Sequence, residues 1–133
     1  ILSDHPRIKL VDPLGYRDVV AAIQNAWCVV TDSGGLQEEA PALGKPVLVL
    51  RDVTERPEAV ASGVVELIGT SRDAVFDALF ELHKNTTKYT RMARPVFPYG
   101  DGHAGKRIVA ALYRHFILPR QAPSADIIQL HAS

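Results

Sequence analysis

The chain has 133 residues, 47% of them hydrophobic, and its 15 Lys plus Arg balance its 15 Asp plus Glu to a formal net charge of zero. That length suits one domain with one core, and the even charge argues against a general nucleic-acid or anionic-membrane binder, which needs a basic excess. No apolar run approaches the roughly 20 residues of a membrane span, and no basic-then-apolar leader is read at the start. The single Cys28 has no internal disulfide partner, so a reducing, cytoplasmic setting is the default expectation. The only methionine is Met92 and the chain opens Ile1-Leu2-Ser3, so a fragment or excised domain of something larger is expected.

Residues 8–11 are a short apolar run ended by Asp12-Pro13 and read as a strand. Residues 17–25 place Val19, Val20 and Ile23 on one helical face. A strand is predicted over 27–31, then a helix over 36–43 closed by Gly44. Residues 47–50 are all aliphatic and read as a strand buried on both faces. A polar loop, 51–57, follows that strand. One or two helical turns over 58–62 end at Gly63, and 64–68 read as a fourth strand.

Ser71 suits the N-cap of a helix through about residue 83, with Val75, Phe76, Leu79, Phe80 and Leu82 on its apolar side. Trp27, Phe76 and Phe80 are expected in the core, and Cys28 is expected to be a buried, inert thiol. A short helix over 86–92, a turn-rich break over 95–102 and a helix over 103–116 complete the pattern. The expected organisation is a domain over 1–118 and a peripheral or partly disordered tail over 119–133.

Strands that alternate with helices imply parallel strands joined by crossovers, an α/β fold with a Rossmann-like parallel sheet and flanking helices. Ligands of such sheets sit beyond the carboxyl ends of the strands. Two segments should meet there. The first is Thr31-Asp32-Ser33-Gly34-Gly35-Leu36-Gln37-Glu38-Glu39-Ala40, where a strand passes through a small-residue turn into a helix. Free helix-start amides, two glycines and the Ser33 hydroxyl suit a phosphate. The same residues also suit an ordinary tight turn with a cap.

Glu38 and Glu39 complement a helix dipole, and one of them could also accept from a ribose diol. Gly35 and Glu39, four apart, share a helical face. The second segment is the loop around Arg56. Its guanidinium, between Glu55 and Glu58, suits either a surface ion pair or a diphosphate clamp. The five histidines show no ligand spacing, so no metal site and no cofactor are expected. His103, after Tyr99-Gly100-Asp101-Gly102, suits a cap or solvent more than a ligand.

Three ordered motifs carry a resemblance. They are Asp32-Ser33-Gly34-Gly35-Leu36-Gln37-Glu38-Glu39-Ala40-Pro41 with Gly44-Lys45-Pro46-Val47-Leu48, then Thr54-Glu55-Arg56-Pro57-Glu58-Ala59, then Pro98-Tyr99-Gly100-Asp101-Gly102 with Arg107-Ile108. Together, from about residue 10 to 113, they resemble the bacterial non-hydrolysing UDP-N-acetylglucosamine 2-epimerases. The resemblance implies the C-terminal domain of a glycosyltransferase-B-like pair of Rossmann-like domains with the active site in the cleft between them. It implies that Ser33, Gly34 and Gly35 hold the diphosphate of UDP, that Glu39 binds the ribose hydroxyls and that Arg56 lies at the phosphates.

The family reaction interconverts UDP-GlcNAc and UDP-ManNAc by eliminating UDP to an unsaturated sugar and adding it back with inversion at one carbon. The resemblance places the proton-transfer groups in an N-terminal domain, so no catalytic residue is assigned in this chain. It also implies UDP or a UDP-sugar as ligand, that N-terminal domain as partner and a homodimer. Two departures stand out. Val19 occupies a position near the uracil where phenylalanine is frequent, and Phe97 precedes Pro98 where asparagine is common. The alternatives are the nucleotide half of a UDP-sugar glycosyltransferase and a non-catalytic nucleotide-sensing or assembly module.

Overall fold

A strand survives only where a neighbour takes its backbone groups, and three short segments among the described residues meet that condition. The computed structural model describes residues 5–117. In it β1 (Val29–Thr31), β2 (Val47–Val49) and β3 (Val65–Leu67) form a parallel sheet in the order β1-β2-β3, with Val30 opposite Leu48 and Leu48 opposite Glu66. The helices are α1 (Tyr16–Asn25), α2 (Gly34–Ala42), α3 (Pro57–Ala61), α4 (Arg72–Lys84), α5 (Thr86–Met92) and α6 (Ala104–Phe116). The Rossmann-like α/β reading holds.

β2 is central and wholly buried, as its aliphatic run predicts. Its side chains alternate between two cores. Val47 and Val49 join Ile23 of α1, Ala40 of α2, Ala59 of α3 and Val65 of β3. Leu48 points the other way, into Ala78 and Leu82 of α4 and Met92 of α5. Helices therefore cover both faces, and the sheet's carboxyl ends stay free for loops.

Local signals set several boundaries. Gly44 has φ of +71°, the left-handed conformation that stops α2, and its N–H donates to the Pro41 carbonyl. Ser71 caps α4 by accepting the Ala74 N–H at 3.2 Å. Asn85 caps α5 in the same way through Lys88. Lys88 then bridges Glu66 of β3 and Glu81 of α4. These two partners hold its ammonium above the usual lysine range although burial opposes that charge.

The chain divides into one unit ending at Tyr99 and another beginning at Gly100. The second contains α6 and its entry turn. There Asp101 accepts from Arg107 through two bonds, 2.8 and 2.5 Å, and from the His103 N–H at 3.1 Å. The expected tail over 119–133 lies outside the described residues.

Three expectations need correction. Residues 8–11 form no strand. Ile8, Leu10 and Val11 are exposed, and among the described residues no strand pairs with them. Phe76 and Phe80 are 65% and 52% exposed and stack on each other at 5.8 Å. Ala78 and Leu82 are the buried residues of α4, so Val75, Ala78, Leu79 and Leu82 mark its inner stripe and the two phenylalanines lie beside it. Trp27 is also partly exposed, stacked on Tyr89 at 5.2 Å, while the Tyr89 hydroxyl donates to the Trp27 carbonyl. Cys28 sits just before β1 and is only half-buried, packed against the Leu48 core, and burial pushes its thiol up.

Candidate functional site

The end of β1 builds the first half of the site. Thr31 Oγ1 accepts the Ser33 N–H at 3.0 Å, and the Thr31 carbonyl accepts from Leu50 at 2.9 Å. This turn delivers Ser33 to the N-cap of α2 with extended backbone, φ −75° and ψ 129°. The Ser33 hydroxyl makes no capping bond, so it stays available. A helix leaves its first amides without intrahelical acceptors. Among the described residues nothing accepts from the N–H groups of Gly34, Gly35 and Leu36. Three donors and a hydroxyl thus sit at the positive end of a helix dipole.

The second half comes from the loop after β2. Arg56 stands at the N-cap position of α3 without a side-chain capping bond, and its guanidinium lies against Gly34. A Cβ on Gly34 would stand 2.8 Å from Nη1, 2.9 Å from Cζ and 3.0 Å from Nη2. Arg56 Nε donates to Glu38 at 2.5 Å, and Nη1 donates to Glu55. Glu38 is the main cause that raises the guanidinium above its ordinary range. Glu55 also pairs with Arg51 at 3.0 Å. Its carboxyl is held low by its own backbone hydrogen bond first, then by the two arginines.

The structure therefore brings Ser33, Gly34, Gly35 and Arg56 together. Glu39 lies one turn beyond Gly35 on α2, half-buried, with no side-chain hydrogen bond among the described residues. Arg56 pairs with Glu38 and Glu55, not with the Glu58 that flanks it in sequence.

Three further residues support this cluster and were not singled out from the sequence. Thr54 Oγ1 accepts the Arg56 N–H at 3.1 Å and donates its own proton to Gln37 Oε1 at 2.8 Å. The Tyr99 hydroxyl donates to the Arg56 carbonyl at 3.2 Å, and burial raises its pKa. Gln37 did leave a signal. It shares the inner face of α2 with Ala40 and Pro41, three and four residues on, where a polar residue needs a reason. Tyr99 left only its place in the motif over residues 98–102, because its partner is 43 residues away.

Among the described residues no group of three or more His, Cys, Asp or Glu side chains could hold a metal ion. No described helix is long and apolar enough to cross a membrane.

A parallel α/β layer with free helix amides and an arginine at its strand ends defines a Rossmann-like domain with unpaired hydrogen-bond donors along one edge. The family can be stated as well. The UDP-N-acetylglucosamine 2-epimerase model matches residues 1–113, and the chain belongs to that family. A UDP-N-acetylglucosamine 2-epimerase of Yersinia pestis is 51% identical over 115 residues, 86% of this chain and 31% of that protein.

Solved structures agree in fold. The S. aureus MnaA–UDP co-structure superposes with a TM-score of 0.82 at 44% identity, over 93% of this chain and 34% of that one. The UDP-GlcNAc 2-epimerase of Neisseria meningitidis bound to UDP-GlcNAc gives a TM-score of 0.74 at 45% identity, over 78% and 28% of the two chains. The chain spans about a third of the length of the relatives it matches.

Proposed function

We propose that this chain is the UDP-binding part of a UDP-GlcNAc 2-epimerase, an isomerase that interconverts UDP-GlcNAc and UDP-ManNAc. One observation carries the reading: the Arg56 guanidinium stacks on Gly34 at the point where three α2 amides are free. Amides and a guanidinium fork suit the two phosphates of UDP. Glu39, a turn further along, suits the ribose hydroxyls. Membership of the family and the nucleotide-bound relatives support the same ligand.

The proton-transfer groups of the reaction lie in this reading on an N-terminal domain that completes the cleft. The chain alone then binds UDP weakly and does not epimerise, because half of the ligand's walls are absent. The whole protein works as a homodimer. An unpaired Cys28 supports a reducing, cytoplasmic setting.

Calorimetric titration of UDP tests the site. Arg56→Ala, Ser33→Ala and Glu39→Ala should each weaken binding, Arg56→Ala by about tenfold or more. UDP binding that ignores all three substitutions would overturn the assignment.

A further inference from the structure

Gln37 is 0% exposed, and its side-chain Nε2 has no hydrogen-bond partner among the described residues. A buried, unpaired amide is destabilising, and leucine fills nearly the same space without that cost. The other end of the same side chain has a definite task. Oε1 accepts the Thr54 hydroxyl, and Thr54 accepts the Arg56 backbone N–H. The next residue of α2, Glu38, accepts from Arg56 Nε. Consecutive residues of one helix thus hold the backbone and the side chain of Arg56. That helix is also the one whose first amides are free. The guanidinium is therefore aligned with the amides by α2 itself, across a sequence separation of 17 between Gln37 and Thr54.

We propose that Gln37 is a positioning residue for the anion site, kept at a cost to stability because its bond to Thr54 sets Arg56 over Gly34. Preorganised donors bind an anion without first being ordered. The inference rests on the diphosphate reading given above. It differs from a packing role in a measurable way: removing the amide frees the fold of an orphaned polar group while it releases Arg56.

The test uses the full 133-residue chain and the variants Gln37→Leu, Thr54→Val and Thr54→Ser. Three quantities are compared: the melting temperature, the NMR exchange rate of the Arg56 Nε–H, and binding of UDP against uridine, which lacks phosphate. Gln37→Leu should melt no lower than the parent. Its Arg56 Nε–H should exchange faster, and its UDP affinity should fall by about tenfold with uridine binding unchanged. Thr54→Val should lose UDP affinity alike, and Thr54→Ser, which keeps the hydroxyl, should restore it.

A Gln37→Leu chain that binds UDP like the parent and keeps a slow Arg56 Nε–H overturns the inference. So does one that melts markedly lower and loses UDP and uridine affinity together, since that is a core residue's behaviour. If the parent binds no UDP, the proposed function falls. The Arg56 exchange rates then still decide whether Gln37 positions it.

Discussion

Gly34 is the residue on which the site turns. Its backbone has an ordinary negative φ, so nothing in its conformation demands glycine. The demand comes from the guanidinium 2.8 Å from where a Cβ would stand. Arg56 is not free to swing aside, because Glu38 and Glu55 hold two of its nitrogens. Gly34→Ala therefore sets two effects against each other. Alanine reduces the freedom of the unfolded chain, worth about 0.4–1 kcal/mol where the backbone suits it, and it pushes Arg56 off the amides. The expected chain melts at or above the parent temperature and binds UDP about tenfold more weakly. Differential scanning calorimetry and a UDP titration read the two effects separately. The glycine pair was legible from composition and spacing as a small-residue turn that opens a helix. That Gly34 answers to an arginine 22 residues away was not, since no local rule links those two positions.

At the scale of elements, caps and periodicity did most of the work. The Ser71 and Asn85 caps and the Gly44 stop were set by residues within one turn of each helix end. Inner stripes were harder to read. In α4 the sequence offers two adjacent apolar rows, and only packing against Leu48 selects the one through Ala78 and Leu82. The entry to α6 has its own pH sensitivity. Arg107 first, and then the His103 N–H, hold the Asp101 carboxyl below its ordinary value of 3.8. A group whose pKa is lower folded than unfolded contributes stability above the unfolded pKa, and that contribution is lost as pH falls through the folded one. Acidification below about pH 4 should therefore loosen the start of α6, and Asp101→Asn should remove this dependence. Amide exchange at residues 104–107, followed against pH, is the measurement; identical profiles in parent and variant would refute it.

Across the unit ending at Tyr99, two cores share one strand. Val47 and Val49 serve one face of the sheet and Leu48 the other, so β2 is where both helical layers depend on each other. Leu48→Ala should cost about 2–5 kcal/mol in urea unfolding. Val53→Ala, at a position 78% exposed, should change stability by less than about 0.5 kcal/mol. Equal effects from the two would contradict the packing described here. The sequence by itself determined the alternation of strands and helices, the amide-rich turn after β1 and the arginine-bearing loop after β2. All of these arise from interactions between residues a few positions apart. Only the tertiary structure decided that Arg56 takes Glu38 instead of Glu58, that Gln37 and Thr54 tie α2 to the loop, and that residues 8–11 form no strand. Those outcomes depend on which surfaces meet once α2 and the loop before α3 pack beyond the same sheet edge, and adjacency along the chain carries no record of that meeting.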